Sequence, residues 1–434
     1  MSDWTVKELE EWDERVCNVA VDFGLDWFPI NYDICDYYEM IGHMSYHGLP
    51  SHYDHWSYGK SFERTHQMYN HGQSGLPYEL IINSNPSIAY LMKENPLYLQ
   101  VLIMAHCVGH SDFFKNNLTF GDTRPDSSVS RFRNAKKRIK NYMEDPSIGI
   151  DKVEDLLDSL HSIKYQVNRN SVARMSYNDV RDELSERLKA GEDIGVDINQ
   201  IPLRREYDLL AFFMEQGKHF SDWELDVINI VREESLYFIP QIKTKVMNEG
   251  WASYWHYTIM NELKLPSEMH IPFIKSHNQV IRPHLGGINP YHLGFEMFQK
   301  LDKELGRDEI FMIREVFHDE SFLRNYLDLD QMIDLNLFSY AKDRKKKAYV
   351  IDEISDEDGW KTVKNNLIKQ TGVGGIPKMF VEVLEPSGAL ILGHDHDGRD
   401  LELNYANVVI NNVAKIWEDV VKLETIIEEE PWEI

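Results

Sequence analysis

The chain has 434 residues, 42% of them hydrophobic and 12% aromatic, enough to bury a large core and to exclude disorder over most of the length. Its 46 Lys and Arg stand against 72 Asp and Glu, a formal charge of −26 that repels phosphate polymers and anionic lipid, so a nucleic-acid binder is disfavoured.

Residues 4 to 23 place Trp4, Leu9, Trp12, Val16, Val19, Ala20 and Phe23 at helical spacing, with Gly24 as a stop. This amino-terminal stretch has neither a basic start nor an apolar middle, so no secretory signal is expected. Cys17, Cys35 and Cys107 are odd in number and far apart, which fits a reducing cytoplasm better than a disulfide framework. From Asp26 to Gly75 a mixture of aromatics, His, Gly and Pro reads as loops folded over a core. Tyr78 to Ile82 reads as a short strand and Asn83-Ser84-Asn85-Pro86 as a turn. A long helix is expected over Leu97 to Phe114, then a loop at Gly121 to Asp126. A basic helical stretch follows with Arg131, Arg133, Lys136, Lys137, Arg138 and Lys140, whose expected role is a solvated face paired with acidic neighbours. Asp151 to Tyr165 is amphipathic, and Asn168 to Gln200 reads as a polar insertion.

Leu203 to Gln216 and Asp222 to Phe238 have helical period, and Pro240 is expected to open a further helix to about Leu263. From about Gly306 the pattern changes. Leu337 to Ala341 and Ala348 to Ile354 read as strands around the turn Arg344-Lys345-Lys346-Lys347, and Trp360 to Thr371 as a helix. Met379 to Leu384 and Leu390 to Gly393 read as a hairpin, Asn404 to Asp419 as a helix and Val421 to Ile427 as a strand. The expected class is α+β and predominantly α-helical, with a helical core over 1-305 and a smaller carboxyl-terminal α+β domain over 306-434. No apolar run approaches the roughly 20 residues of a membrane span, so no membrane insertion is expected.

Chemistry concentrates in two helical segments. His106 and His110 are four residues apart, hence on one helical face, the spacing by which H-E-x-x-H proteins chelate zinc. Glu249-Gly250-Trp251-Ala252 matches the E-G-x-A sequence in which zincin metallopeptidases with a glutamate ligand carry that third donor. Small residues beside Glu249 let two helices approach closely enough for metal–oxygen bonds of about 2 Å. His256, seven residues beyond Glu249, is a candidate fourth ligand or a partner that orients a ligand. The alternative is a buried His/Glu cluster held by hydrogen bonds with no ion.

Cys107 occupies the position of the general-base glutamate and cannot do its work. Another carboxylate (Glu233, Glu234 or Asp112) would then serve as base, or a different hydrolysis would run with the metal-bound water and a Tyr or His, or the site is structural. Glu234 and Tyr254 are the catalytic candidates, and His55 and Lys60, in the aromatic stretch, are candidates for substrate binding. Zn2+ suits the donors, and another divalent transition metal would also accept them. His394-Asp395-His396-Asp397-Gly398-Arg399-Asp400 resembles a ligand run, but Asp397-Gly398 is a turn signal and a solvated turn is expected.

The chain resembles the SpoVR (stage V sporulation protein R) family. The resemblance is carried by Tyr46-His47-Gly48-Leu49-Pro50, His55-Trp56-Ser57-Tyr58-Gly59-Lys60, Ile82-Asn83-Ser84-Asn85-Pro86 and Asp112-Phe113-Phe114-Lys115-Asn116-Asn117. Leu236-Tyr237-Phe238-Ile239-Pro240-Gln241, Lys245 to His256, Asn289-Pro290-Tyr291-His292-Leu293-Gly294 and Ser321 to Leu327 extend it along the chain. The resemblance implies a cytoplasmic bacterial protein linked to spore cortex formation in spore formers. In other bacteria it implies a stress response alongside a PrkA-type serine kinase and a protein resembling von Willebrand factor A domains. Two functions stay open on this reading: a zincin-like metal enzyme hydrolysing amide bonds, and a non-catalytic regulator working with the kinase and its partner.

Overall fold

The structure is a computed structural model that describes residues 4–49, 51–70, 79–169, 174–195, 197–217, 219–283, 288–343 and 348–434. Its contacts divide the chain into two units, each discontinuous: Met1–Asn134 with Pro240–Gly374, and Ala135–Ile239 with Gly375–Ile434. The architecture is α+β and predominantly helical.

The first unit begins with α1 (Val6–Asp22), started by a capping box in which Thr5 and Glu8 satisfy each other's backbone N–H groups. The stretch expected to be loops instead holds β1 (Ile30–Cys35), α2 (Tyr37–Ser45) and α3 (Trp56–Asn70). Asp36 and Glu39 form a second capping box at α2, a local signal that the dense aromatic and His composition obscures. Then β2 (Leu80–Ile82) and β3 (Ser87–Met92) flank the expected turn; β1 runs parallel and β2 antiparallel to β3. Next, α4 (Leu97–Asn116) is buried continuously from Leu99 to Phe114, so it forms the centre of the unit and not one of its faces. It is followed by α5 (Ser128–Glu144).

The chain then builds part of the second unit from α6 (Ile150–Ile163), α7 (Tyr177–Lys189), α8 (Leu209–Gln216) and α9 (Asp222–Lys243). The expected polar insertion thus contains a helix, α7, capped by Ser176; its residues 170–173 and 196 lie outside the described residues. Pro240 does not open a new helix. It lies inside α9, and the break comes at Thr244 (φ −125°, ψ 20°), whose hydroxyl donates to the Pro240 carbonyl at 2.7 Å. The missing proline N–H removes one rung of the helix ladder three residues before α9 ends.

Back in the first unit come α10 (Lys245–Glu262), α11 (Ser267–Val280), α12 (Pro290–Leu305), α13 (Arg307–Val316), α14 (Asp319–Tyr326) and α15 (Leu329–Asp334). An antiparallel pair, β4 (Phe338–Asp343) and β5 (Ala348–Ile354), and α16 (Trp360–Gln370) complete it. The basic turn 344–347 lies outside the described residues. The core of this unit gathers Phe113, Trp251, Trp255, Phe298 and Phe322, all essentially inaccessible, around α4, α10 and α12. Two contacts set how closely these helices meet. A Cβ on Gly109 would lie 2.8 Å from the Cα of Ala252, and one on Gly250 would lie 2.4 Å from the backbone of Gly294.

The second unit closes with β6 (Met379–Leu384), β7 (Leu390–His394), α17 (Leu403–Trp417), β8 (Val421–Ile427) and β9 (Glu430–Glu433). The β6–β7 hairpin is as expected; α17 is the crossover that makes β8 parallel to β7, and the unforeseen β9 pairs antiparallel with β8. Trp417, at the end of α17, packs its ring in tilted contacts 6.0 and 5.7 Å from Phe212 and Phe213 of α8. Among the described residues no helix is long and apolar enough to cross a membrane.

Candidate metal centre

His106 and His110 project from one face of α4, Glu249 from the facing turn of α10, and Glu79 from the residue before β2. One donor atom from each lies within 4.8 Å of the others, and three of the four side chains are buried. His106 Nε2 is 3.4 Å from Glu79 Oε1 and 3.8 Å from Glu249 Oε2, and His110 Nε2 is 3.4 Å from Glu249 Oε2. Charge-assisted hydrogen bonds are shorter, about 2.7–2.9 Å. Donors bound at about 2.0–2.2 Å to one tetrahedral ion stand roughly 3.3–3.6 Å apart; two of the separations here, 3.4 Å each, fall in that range and the third, 3.8 Å, is wider. His106 Nε2 and Glu249 Oε2 are moreover buried without a hydrogen-bond partner, a costly state that an ion at the centre of the group would relieve.

Packing places these groups. Asp319 accepts hydrogen bonds from the N–H groups of Val246 and Met247, both 2.8 Å, and so fixes the first turn of α10. Gly109 lies one residue before His110 and Gly250 one residue after Glu249, so the close helix contacts adjoin the donors directly.

A second layer of hydrogen bonds orients the imidazoles. The side-chain oxygen of Asn248 can only accept, so at 2.9 Å it places the proton of His110 on Nδ1 and leaves the Nε2 lone pair facing the cluster. His106 Nδ1 is 2.8 Å from His256 Nδ1, and His256 Nε2 is 2.8 Å from His277 Nδ1. If His106 presents its Nε2 lone pair, its Nδ1–H donates to His256, whose Nε2–H donates in turn to His277; one consistent set of tautomers follows. Burial and the neighbouring imidazoles hold His256 well below its usual range, and burial brings His277 down to about 4, so both are neutral.

Electrostatics favour the binding form of Glu249 but the protonated form of His110, whose Nε2 proton an ion would displace. Burial disfavours the Glu249 carboxylate, but the Lys245 ammonium, which meets it directly, and the two imidazoles outweigh that and hold it well below the usual range. Burial also disfavours charge on His110, and Glu249 overrides it, raising the imidazole above its usual value. The Tyr291 hydroxyl donates to Glu79 Oε1 at 3.5 Å, and burial followed by the two carboxylates pushes this phenol far up.

The other residues singled out in the sequence sit elsewhere. His256 stands behind His106, with both ring nitrogens engaged by other histidines. Cys107, one residue and about 100° round the helix from His106, packs with Leu91, Leu99 and Ile103, and burial drives its thiol far above the usual range. Tyr254 donates to Asp302 beside Arg307, away from the donors. Glu234 is buried on α9 in the second unit. His55 is buried with Nδ1 2.7 Å from Ser57 Oγ, and Lys60 is exposed over the Trp56 ring; neither belongs to the donor group. In the His394 to Asp400 run, His394 bonds Thr425, Asp397 pairs with Arg399 and Gly398 takes φ 94°, as a turn requires. In the basic stretch, Arg138 meets Asp226 and Lys140 meets Glu144. Sequence reasoning missed Glu79, His277 and Tyr291. Only Tyr291 stood in a string already noted, and the other two have no motif around them.

A family model described as SpoVR like protein matches residues 3–376. Among curated proteins, the chain is similar to "Uncharacterized protein YcgB" of Escherichia coli (strain K12), 35% identical over 425 residues, covering 86% of this chain and 82% of that one. No solved structure matches.

Proposed function

The chain belongs to the SpoVR family, and from that premise we propose that it is a metal-dependent amide hydrolase whose zincin-like centre is formed by His106, His110 and Glu249 with Glu79 beside them. The observation that carries this reading is the pair of buried atoms without a hydrogen-bond partner, His106 Nε2 and Glu249 Oε2, within a group of four donors that lie within 4.8 Å of one another. Two imidazoles and carboxylates suit Zn2+, with another divalent transition metal as the competitor. Such an ion, when bound, polarises a carbonyl and makes water nucleophilic near neutral pH. Lys245 and Asn248 hold Glu249 and His110 in place. Glu79, on a different element from the other donors, takes the part that Cys107 cannot: it accepts the proton of the attacking water at a carboxylate oxygen. Tyr291 holds the same carboxylate by its hydroxyl.

A second reading has its own support. If Glu79 is a fourth ligand, four protein donors complete a tetrahedral set, the arrangement of structural zinc sites. The protein is then a regulator in spore cortex formation or the stress response, and its acidic surface docks a PrkA-type serine kinase and the von Willebrand factor A-like partner. In both readings the protein works in the cytoplasm.

Metal analysis of protein purified without chelator tests the centre. About one ion per chain is expected, with loss in His106→Ala and Glu249→Ala; clearly less than one ion per chain in the unmutated protein would refute the centre. Glu79→Gln separates the readings. Retained ion with lost amide hydrolysis supports the hydrolase, and lost ion supports the structural site.

A further inference from the structure

A cavity of about 360 Å³ opens in the first unit one helical turn from the donor group, within the usual size of small-ligand sites. Lys245 lines it, and four residues along α10 the same side chain meets Glu249. Pro290 and His292 line it too, on either side of Tyr291, whose hydroxyl reaches Glu79. The cavity therefore adjoins Glu249 along α10 and, along α12, Tyr291, which bonds the donor Glu79.

The lining has a definite chemical character. Leu293, Val363 and Leu367 make an aliphatic wall. Lys245 and Asp319 are its full charges, but the Asp319 carboxylate is turned to the N–H groups of Val246 and Met247. Lys245, with 58% of its side chain accessible, is thus the cation of the lining; its ammonium meets Glu249 with one of three N–H donors, and the others serve an anion in the cavity. His292 adds a buried Nδ1 that has no hydrogen-bond partner, and Asn366 and Gln370 add amides.

We propose that this cavity binds the free carboxylate end of an N-acyl amino acid or short peptide, with Lys245 as its anchor and the aliphatic side chain against Leu293, Val363 and Leu367. The reacting bond rests on the hydrolase reading above; the binding does not. A carboxylate held at Lys245 directs the adjoining amide along α10 towards Glu249. Hydrolysis there breaks the C–N bond, adds hydroxyl to the acyl carbon and a proton to the leaving nitrogen, and needs no redox partner.

Calorimetry with N-acetyl-leucine and N-acetyl-leucinamide as probes tests the assignment, on protein as purified and after chelator treatment. Saturable binding of one carboxylate per chain is expected, at least tenfold tighter than the amide, with and without metal. Lys245→Met abolishes the preference, Lys245→Arg retains it, and Asn366→Leu weakens binding several-fold with an unchanged melting temperature. Equal binding of the two probes, an unchanged preference in Lys245→Met, or binding that vanishes on chelation would overturn the proposal. Should the metal centre alone be wrong, the protein holds no ion yet still binds the carboxylate.

Discussion

Gly109→Ala probes the link between helix packing and the metal centre. The new Cβ would sit 2.8 Å from the Cα of Ala252, and an ordinary contact starts at 3.4 Å, so α4 and α10 must part by about 0.6 Å. His106 and His110 ride on α4 and Glu249 on α10, and metal–ligand distances tolerate only about 0.2 Å. The donors therefore cannot all reach one ion in the variant, and metal affinity should fall roughly 10- to 100-fold, as when a ligand's supporting contacts are removed. Fold stability should change less. Overpacking costs about 1–3 kcal/mol, and the better helix propensity of Ala returns up to about 1 kcal/mol, which leaves a melting shift of a few degrees. Competition with a chromophoric chelator reads the affinity and circular dichroism reads the melt. Gly59→Ala, in α3 with nothing within 4 Å of the new Cβ, serves as the control with both unchanged or slightly improved. Full metal affinity in a folded Gly109→Ala protein would refute the claim that this helix contact sets the donor geometry.

Gly250→Ala is the harsher test, because its Cβ meets the Gly294 backbone at 2.4 Å and neither side can yield as a side chain would; a loss above about 3 kcal/mol, or no soluble protein, is expected on expression and melting. His277→Phe removes the acceptor for His256 while keeping an aromatic ring, so metal affinity should drop about tenfold or more, and the buried His256 N–H left unpaired should cost about 1–3 kcal/mol of stability; an unchanged affinity would remove the His106–His256–His277 chain from the centre. Burial lifts the Asp319 carboxyl to about 7, against the pull of two N–H donors. Its contribution to stability is complete below the ordinary aspartate range and fades as pH rises to about 7. Denaturant titrations should therefore show Asp319→Asn gaining on the unmutated protein by about 2–3 kcal/mol between pH 5 and pH 8, and a flat difference would mean that the carboxylate stays ionised in the fold.

What could be read from the sequence followed from local repetition. The four-residue spacing of His106 and His110 on an apolar run settles that they share a helical face, whatever surrounds them. Glu249 between Asn248 and Gly250 announces a donor beside a small residue, and the string of rare residues through His256 carries the family. Hairpin, crossover helix and strands near the carboxyl end were legible because each is punctuated by its own turn residues. The capping boxes at Thr5 and Asp36 are equally local, yet the second was masked by the aromatic and His-rich composition around it.

Tertiary structure decided everything that depends on residues distant in the chain. Glu79 and Tyr291 reach the donor group from 27 residues before and 185 residues after His106, and no spacing rule connects a residue at a strand's edge to a helix face. His256 aligns with Glu249 by helical period alone, but its nearest polar partners come from α4 and α11, and those partners turn it into a support for His106. Tyr254 shares the helix with Glu249 and faces Asp302 for the same reason: packing between helices selects which face meets which neighbour. The division into two discontinuous units is likewise a property of contacts, since the chain leaves the first unit after α5 begins and returns within α9. Local sequence determined which helices form and which faces carry chemistry. The close approach of α4, α10 and α12, permitted by the missing Cβ atoms of Gly109, Gly250 and Gly294, determined that those faces meet.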